Sequence, residues 1–490
     1  MQKTNVVIIH TDQHRQECLG VYGNKDVRTP HIDSIASDGI VYTNHFCCYP
    51  VCTPSRYSLL TGMYASAHRG LDNNCTLPQG LSTFAKELRN AGYRTAAVGK
   101  MHFTPTYLDA GFDFLTLAEQ DGIGRFDDDY HKYLRERGLL DEIDLYDQRQ
   151  EYRKNAPAEY FDSFGAKRSD LDCEHHSTTY ITNAALEQIE QFDDDQKNLL
   201  MVGYIKPHHP MDPPEPYSSM YDPGSLTLLD GYTEQIPDID LEKGWHYFDF
   251  TKLDENKLRF VMSQYYGNIT HIDDGVGLII DKLKEKGIYD DSLIIFTADH
   301  GEYLGFRHLL LKSNYMYDPL VKIPLIIKYP VSWQKTGEDD SLSSNIDIAK
   351  TILSVCKVKC PHSMQAFDLS RAERRETVIC EFPIWKHAHM VRTQEYKLLI
   401  SSDEKKYRLF DLVNDRLETT DVSENIQYAG VIADLKELLI EEMLLRVNNA
   451  AYRNPCEPLA GGITREEMEI GRESMIRYMQ EKSAVKPEYN

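Results

Sequence analysis

The chain has 490 residues, 41% of them hydrophobic and 27% charged, with a formal net charge of -23. That balance excludes a disordered chain, and the length exceeds one ordinary core, so a large domain with a smaller one attached is expected. The acidity argues against sequence-independent binding to nucleic acid or to an anionic membrane, and any anionic substrate must meet a local cluster of cations.

The first residues, MQKTNVVIIHTDQ, run straight into a buried strand with no apolar signal segment ahead of it, and no later stretch is apolar for long enough to cross a bilayer. The expectation is a cytoplasmic protein. Further strands are expected at YRTAAVG from Tyr93, NLLMVGYI from Asn198, SLIIFTA from Ser292 and IPLIIKY from Ile323. Between them, LSTFAKELRNAG and FVMSQYYGNITHIDDGVGLIIDKLKEKG carry helix-period apolar positions and stop at Gly. This alternation predicts a parallel α/β sheet. The segment from Phe114 to Asp172 is polar and rich in Tyr, and reads as an insertion at the rim of the sheet. After Arg371 the pattern changes: HMVRTQEYKLLISS and KKYRLFDLV read as antiparallel strands, followed by the helix AGVIADLKELLIEEMLLRV. The chain is therefore divided into a large α/β domain over 1–370 and a smaller C-terminal α+β domain over 371–490, with a charged tail from Pro455.

Polar residues collect at the carboxyl ends of the expected strands, where ligands of parallel sheets bind. They are Asp12 and Gln13, Lys100 and His102 in GKMH, Lys206, His208 and His209 in KPHHP, and Asp299 and His300 in ADHGE. Asp12, Gln13, Asp299 and His300 would give a divalent cation mixed oxygen and nitrogen ligands. Arg56, Lys100, Lys206 and Lys312 would surround a small tetrahedral anion, and His102 and His208 suit proton transfer near neutral pH. A cation flanked by basic side chains is what an ester of sulfate or phosphate requires as charge builds on its oxygens.

The stretch CCYPVCTPSRYSLLTGMY places Cys52 just ahead of Pro54, a residue favoured in the first turn of a helix, so a nucleophile there would face an anion from the positive end of the helix dipole. A tyrosine-phosphatase loop needs five residues between Cys and Arg, whereas only Thr53, Pro54 and Ser55 intervene here. A zinc knot lacks its second ligand pair.

CTPSRYSLLTG resembles the sulfatase signature C-x-P-S-R-x-x-x-L-T-G, whose cysteine is oxidised after translation to formylglycine. Its companions follow in family order: DQ after the first strand, GYRTAAVGKMH, KPHHP, TADHGE and Lys312 in LLLK, with VRTQEYKLL and LFDLVNDRLETTDV resembling the end domain. The resemblance implies an alkaline-phosphatase-like fold, a large mixed sheet flanked by helices with a smaller C-terminal α+β domain. It also implies hydrolysis of a carbohydrate or small-molecule sulfate ester. It makes Cys52 the formylglycine nucleophile, installed by a maturation enzyme, and Arg56 its anchor. Asp12, Gln13, Asp299 and His300 become ligands of a divalent metal, usually calcium. Lys100 and His102 would hold the hydrated aldehyde, and His208 and Lys312 would contact the sulfate and the leaving oxygen, with Lys206 and His209 matching less closely.

Two departures stand out. Many sulfatases carry Asp-Asp and Asp-Asn where this chain has Asp12-Gln13 and Asp299-His300, a variant that resembles phosphonate monoester and phosphodiester hydrolases of the same superfamily and would shift preference from calcium towards manganese. Many relatives also have His where this chain has Arg307, and the sequence leaves both answers open as to whether the adjacent His308 compensates. Substrate choice is expected to lie in the Phe114 to Asp172 segment, the HPMDPPEPY loop and the C-terminal domain, with Trp385, Lys386, His387 and His389 able to reach the pocket.

Overall fold

The structure is a computed structural model. It describes residues 4–447 apart from 79, 121–126, 149–152, 194–195, 238–239, 241–247, 313–314, 383–387 and 403–405. Trp385, Lys386, His387 and the charged tail lie outside the described residues.

The apolar run after Asn5 forms β1 (Val6–Asp12), buried along its whole length. It lies in the middle of an eight-stranded sheet. β4 (Tyr93–Gly99) and β6 (Lys197–Pro207) lie on one side of it, with β5 (Phe114–Leu117) at that edge. On the other side come β7 (Leu293–Ala298), β8 (Leu325–Lys328), β2 (Ile40–Tyr42) and β9 (Gly337–Asp339), while β3 (His45–Phe46) and β10 (Ser343–Ser344) pair with each other in a separate two-stranded sheet. β-branched residues alternate along β1, so it feeds two cores. Val7 and Ile9 pack in the layer of Ile181, Ile269 and Ile272, from the helices Ser177–Glu190 and Glu255–Glu285. Val6 and Ile8 pack in the layer of Leu59, Leu60, Leu88 and Ile348, from the helices Cys52–Thr61, Phe84–Asn90 and Asp347–Val355. Each fully buried Ile or Leu contributes about 1.5–3 kcal/mol of transfer free energy, which fixes the strand between its layers. The Glu255–Glu285 helix is capped by Asp254, whose side chain accepts from the Lys257 N–H, and the chain leaves it through Gly287 at φ 67°. Among the described residues no helix is long and apolar enough to cross a membrane.

One expectation needs correction. The strand from Ile323 was expected to be parallel, but β8 pairs antiparallel to β7. The chain leaves the end of β7, turns through the short helix Asp318–Val321 and returns beside it without a crossover, and a strand reached that way must run backwards. The segment expected at the rim of the sheet lies there, contributing the edge strand β5, which pairs parallel to β4.

The C-terminal part is a four-stranded antiparallel sheet of β11 (Val378–Phe382), β12 (Ala388–Arg392), β13 (Tyr396–Ile400) and β14 (Tyr407–Asp411). Val391, Leu398 and Leu409 pack under the Ala429–Ile440 helix against Leu435. Val378, Met390 and Phe410 face Phe46, Tyr317 and Leu320 of the large domain. Arg375 joins the two parts through a buried two-pronged pair with Asp347, at 2.5 and 2.7 Å.

Candidate active site

The carboxyl ends of β1, β4, β6 and β7 converge with the first turn of the Cys52–Thr61 helix. Ligating atoms of Asp12, Cys52, Asp299 and His300 all lie within 4.8 Å of one another, and all four residues are buried. Backbone geometry at the strand ends is unusual. Gln13 and His102 sit at φ 58° and 56°, a left-handed conformation that non-glycine residues adopt at some cost and that clusters at functional sites. Gly99 is required where β4 meets β6, because a Cβ there would lie 2.1 Å from the Gly203 carbonyl oxygen.

Arg56 ties the carboxylates together, with Nη2 2.9 Å from Asp12 Oδ2 and Nε 3.0 Å from Asp299 Oδ2. Its Nη1 donates to the Lys100 carbonyl at 2.5 Å, and Lys100 Nζ lies 2.8 Å from Asp12 Oδ2. Burial works to raise the Asp12 carboxyl, but Lys100, His208, Arg56 and His300 together hold it well below the usual carboxylate range. Asp299 goes the other way, pushed up to about 6 by burial and by the charge of Asp12. Burial and Asp12 push the Cys52 thiol up to about 11 against the pull of Lys312 and Lys100. Unmodified Cys52 is therefore a thiol at neutral pH and a poor nucleophile.

The donor set fits a divalent cation. Asp12 and Asp299 supply carboxylate oxygens. Gln13 donates its Nε2 to Glu302 Oε2 at 2.5 Å, which leaves its Oε1 buried and without a partner among the described residues. His300 Nδ1 lies 3.0 Å from the Gly301 carbonyl and so carries the hydrogen, leaving the Nε2 lone pair directed at the cluster. Burial, with Lys312, lowers His300 to about 3, so it is the neutral ring a metal requires.

Lys312 Nζ lies 3.2 Å from Cys52 Sγ, 3.1 Å from His208 Nε2 and 3.3 Å from His300 Nε2. His208 Nδ1 is 2.5 Å from the His209 carbonyl, and its Nε2 is 4.0 Å from Asp12 Oδ1. His102 is buried, and neither ring nitrogen has a partner among the described residues; burial and then Lys100 lower its pKa. Lys206 is not brought to the cluster: its ammonium is held by Asp212 and by the Pro210 carbonyl, so it shapes the loop. His209 stacks on His208 with centroids 4.0 Å apart and reaches Asp147 Oδ2 at 3.3 Å. Arg307 pairs with Asp240, and both ring nitrogens of His308 face backbone carbonyls of Thr233 and Phe250, so His308 does not compensate for the missing histidine.

Several supporting residues escaped sequence reasoning. Glu302 orients the Gln13 amide and accepts from the Leu304 and Leu311 N–H groups; it lies within ADHGE, where its spacing from Asp299 was the available signal. Glu119 accepts from the Met101 and His102 N–H groups and so fixes the turn that carries His102. Ser55 donates to the Asp299 carbonyl at 2.6 Å and is itself held by Asn345. Asn73 accepts from the Thr53 N–H at the start of the helix. Glu119, Ser55 and Asn73 stand in no recognisable spacing with their partners.

Comparison with known proteins agrees with this geometry. The family described as Sulfatase matches residues 4–358, and that described as N-sulphoglucosamine sulphohydrolase, C-terminal, matches residues 307–444. An arylsulfatase from Clostridium perfringens is 28% identical over 90% of this chain and 94% of its own length. An N-acetylglucosamine-6-O-sulfatase from Bacteroides thetaiotaomicron is 24% identical over 90% of this chain and 86% of its own. Among solved structures, a phosphonate monoester hydrolase from Silicibacter pomeroyi superposes with a TM-score of 0.76 at 23% identity, covering 95% of this chain and 100% of that one, a likeness of fold.

Proposed function

The chain belongs to the sulfatase family and hydrolyses sulfate esters, and from that premise we propose that it acts on a sulfated carbohydrate through a formylglycine at position 52 and a divalent cation. The observation that carries this reading is the position of Cys52. It opens a helix between Asp12, His300 and Lys312, in surroundings that make a free thiol inert yet suit a neutral group attacking an anion. A maturation enzyme that reads Cys52, Pro54 and Arg56 would install the aldehyde. The carbohydrate assignment is supported by the N-acetylglucosamine-6-O-sulfatase among the relatives.

Asp12, Gln13, Asp299 and His300 would hold the cation. We assign calcium, with manganese as the alternative that the His300 nitrogen and the Gln13 amide accommodate. Once bound, it would supply Lewis-acid polarisation of the sulfate oxygens. The hydrate of an aldehyde at position 52 supplies one hydroxyl to attack sulfur and a second to expel sulfate. Arg56 keeps Asp12 and Asp299 in place, and the ammonium groups of Lys100 and Lys312 offset charge on the sulfate. His208, with Nδ1–H on the His209 carbonyl, presents Nε2 to the leaving oxygen as general acid, because a bound anion favours its protonated form. His102 takes the proton of the second hydroxyl.

Turnover of an aryl sulfate compared with a phenyl phosphonate tests the assignment. The sulfate should be preferred in kcat/KM. A preference for the phosphonate would transfer the same residues to a phosphonate monoester or phosphodiester hydrolase, the reading that Gln13 and His300 favour. Turnover of neither ester by metal-loaded, aldehyde-bearing protein would defeat both.

A further inference from the structure

We propose that Gln120 is a positioning residue that sets both Lys100 and the leaving-group acid His208, so that the segment 114–172 controls proton transfer to the departing alcohol. The inference rests on the assignment of His208 as that acid.

Gln120 is fully buried at 0% exposure and spends all of its amide on three partners. Its Oε1 accepts from Lys100 Nζ at 3.2 Å, and its Nε2 donates to Asp144 Oδ1 at 3.0 Å and to the His209 carbonyl at 2.7 Å. The amide orientation is unambiguous, since Lys100 can only donate, whereas a carboxylate and a carbonyl can only accept. The His209 carbonyl is the same oxygen that His208 Nδ1 meets at 2.5 Å. By anchoring that oxygen Gln120 fixes the tautomer of His208: Nδ1 carries a hydrogen, and Nε2 is left to face Lys312 at 3.1 Å. On its other side Gln120 shares Lys100 with Asp12, whose Oδ2 lies 2.8 Å from the ammonium. A neutral amide leaves the charge of Lys100 available to the substrate. A glutamate here would neutralise it and would turn a carboxylate towards Asp144 and the His209 carbonyl.

The surroundings point the same way. His209 stacks on His208, with rings inclined by 22°, and its Nε2 reaches Asp147 Oδ2 at 3.3 Å. The His208-His209 turn is thus held from one segment twice, by Asp144 through Gln120 and by Asp147 through His209.

The experiment compares kcat/KM on nitrophenyl sulfate and on an unactivated alkyl sulfate for the metal-loaded wild type, Gln120→Met, His208→Ala and the double variant Gln120→Glu with Asp144→Asn. An activated phenol leaves without protonation, so loss of the acid falls on the alkyl ester. Gln120→Met should lose on the order of tenfold or more beyond its aryl loss on the alkyl ester, in the direction of His208→Ala. The double variant restores the hydrogen bond at position 144 and an acceptor for Lys100, but gives the His209 carbonyl no donor from position 120. It should stay biased against the alkyl ester, and it carries the same comparison if Gln120→Met folds poorly. Equal losses on both esters in the Gln120 variants, with His208→Ala biased, would reduce Gln120 to a purely structural amide and overturn the proposal. Equal losses in His208→Ala itself would overturn the acid assignment, and the proposal with it.

Discussion

Lys312 Nζ lies 3.2 Å from Cys52 Sγ, although 260 residues separate the two in the chain. One ammonium thereby touches the proposed nucleophile, the proposed acid His208 and the His300 nitrogen directed at the carboxylate cluster. These three partners are a thiol and two imidazoles, none of them an anion, so the half-buried ammonium is placed to meet one.

Lys312→Met should therefore lower kcat/KM by about 10²–10³-fold, the usual cost of removing one preorganised donor to developing charge. It should also weaken inhibition by inorganic sulfate, because product and transition state share the contact. Steady-state kinetics with sulfate titration check both, and near-wild-type kcat/KM would show that the ammonium is not used.

Asp299 is a proposed metal donor and forms half of the clamp on Arg56. Asp299→Ala should lose most activity and most bound metal, while Arg56 keeps its contact with Asp12 and preserves the fold. Elemental analysis and a metal-dependent thermal shift check this: ligand binding raises the melting temperature of the wild type by mass action and should fail to do so in the variant. Full activity after complete metal removal would remove the cation from the account.

The strand-end residues were legible because parallel topology gathers such ends whatever the intervening sequence, and because Asp12, His208 and Asp299 each follow an apolar β-rich run. The direction of β8 was not legible, since alternation of side chains reports a strand but not which way it runs. Gln120 and Glu119 were invisible for another reason. They act as buried amide and carboxyl groups inside a segment whose polarity reads as exposure, and they meet their partners only through β4 and its pairing with β5. Lys206 misled because a lysine among histidines at a strand end looks like an anion ligand, whereas Asp212, six residues on, claims it.

Glu119 gives a prediction in pH. Burial, against two backbone donors and with Asp128 adding repulsion, pushes its carboxyl up to about 8. In the unfolded chain the group ionises near 4.5, so between these values the folded state holds one more proton. Its contribution to stability is thus complete below pH 4.5 and is lost as the pH rises through about 8. Glu119→Gln keeps an acceptor for the Met101 and His102 N–H groups without that ionisation. Its melting temperature relative to wild type should rise across this window and level off above it. A difference independent of pH would mean that Glu119 is ionised throughout.

Position 52 carries the central claim. Cys47 and Cys48 are buried packing residues, Cys47 beside Phe46 and Tyr49 and Cys48 beside Met63 and Tyr64. Cys48→Ala should cost on the order of 1 kcal/mol of stability and leave turnover intact. Cys52→Ala should abolish turnover. The most direct test is peptide mass spectrometry of the active enzyme across preparations of differing specific activity. The account predicts an aldehyde or its hydrate in place of the thiol at position 52, in a fraction that rises in proportion to activity; an intact Cys52 thiol throughout a fully active sample would contradict it.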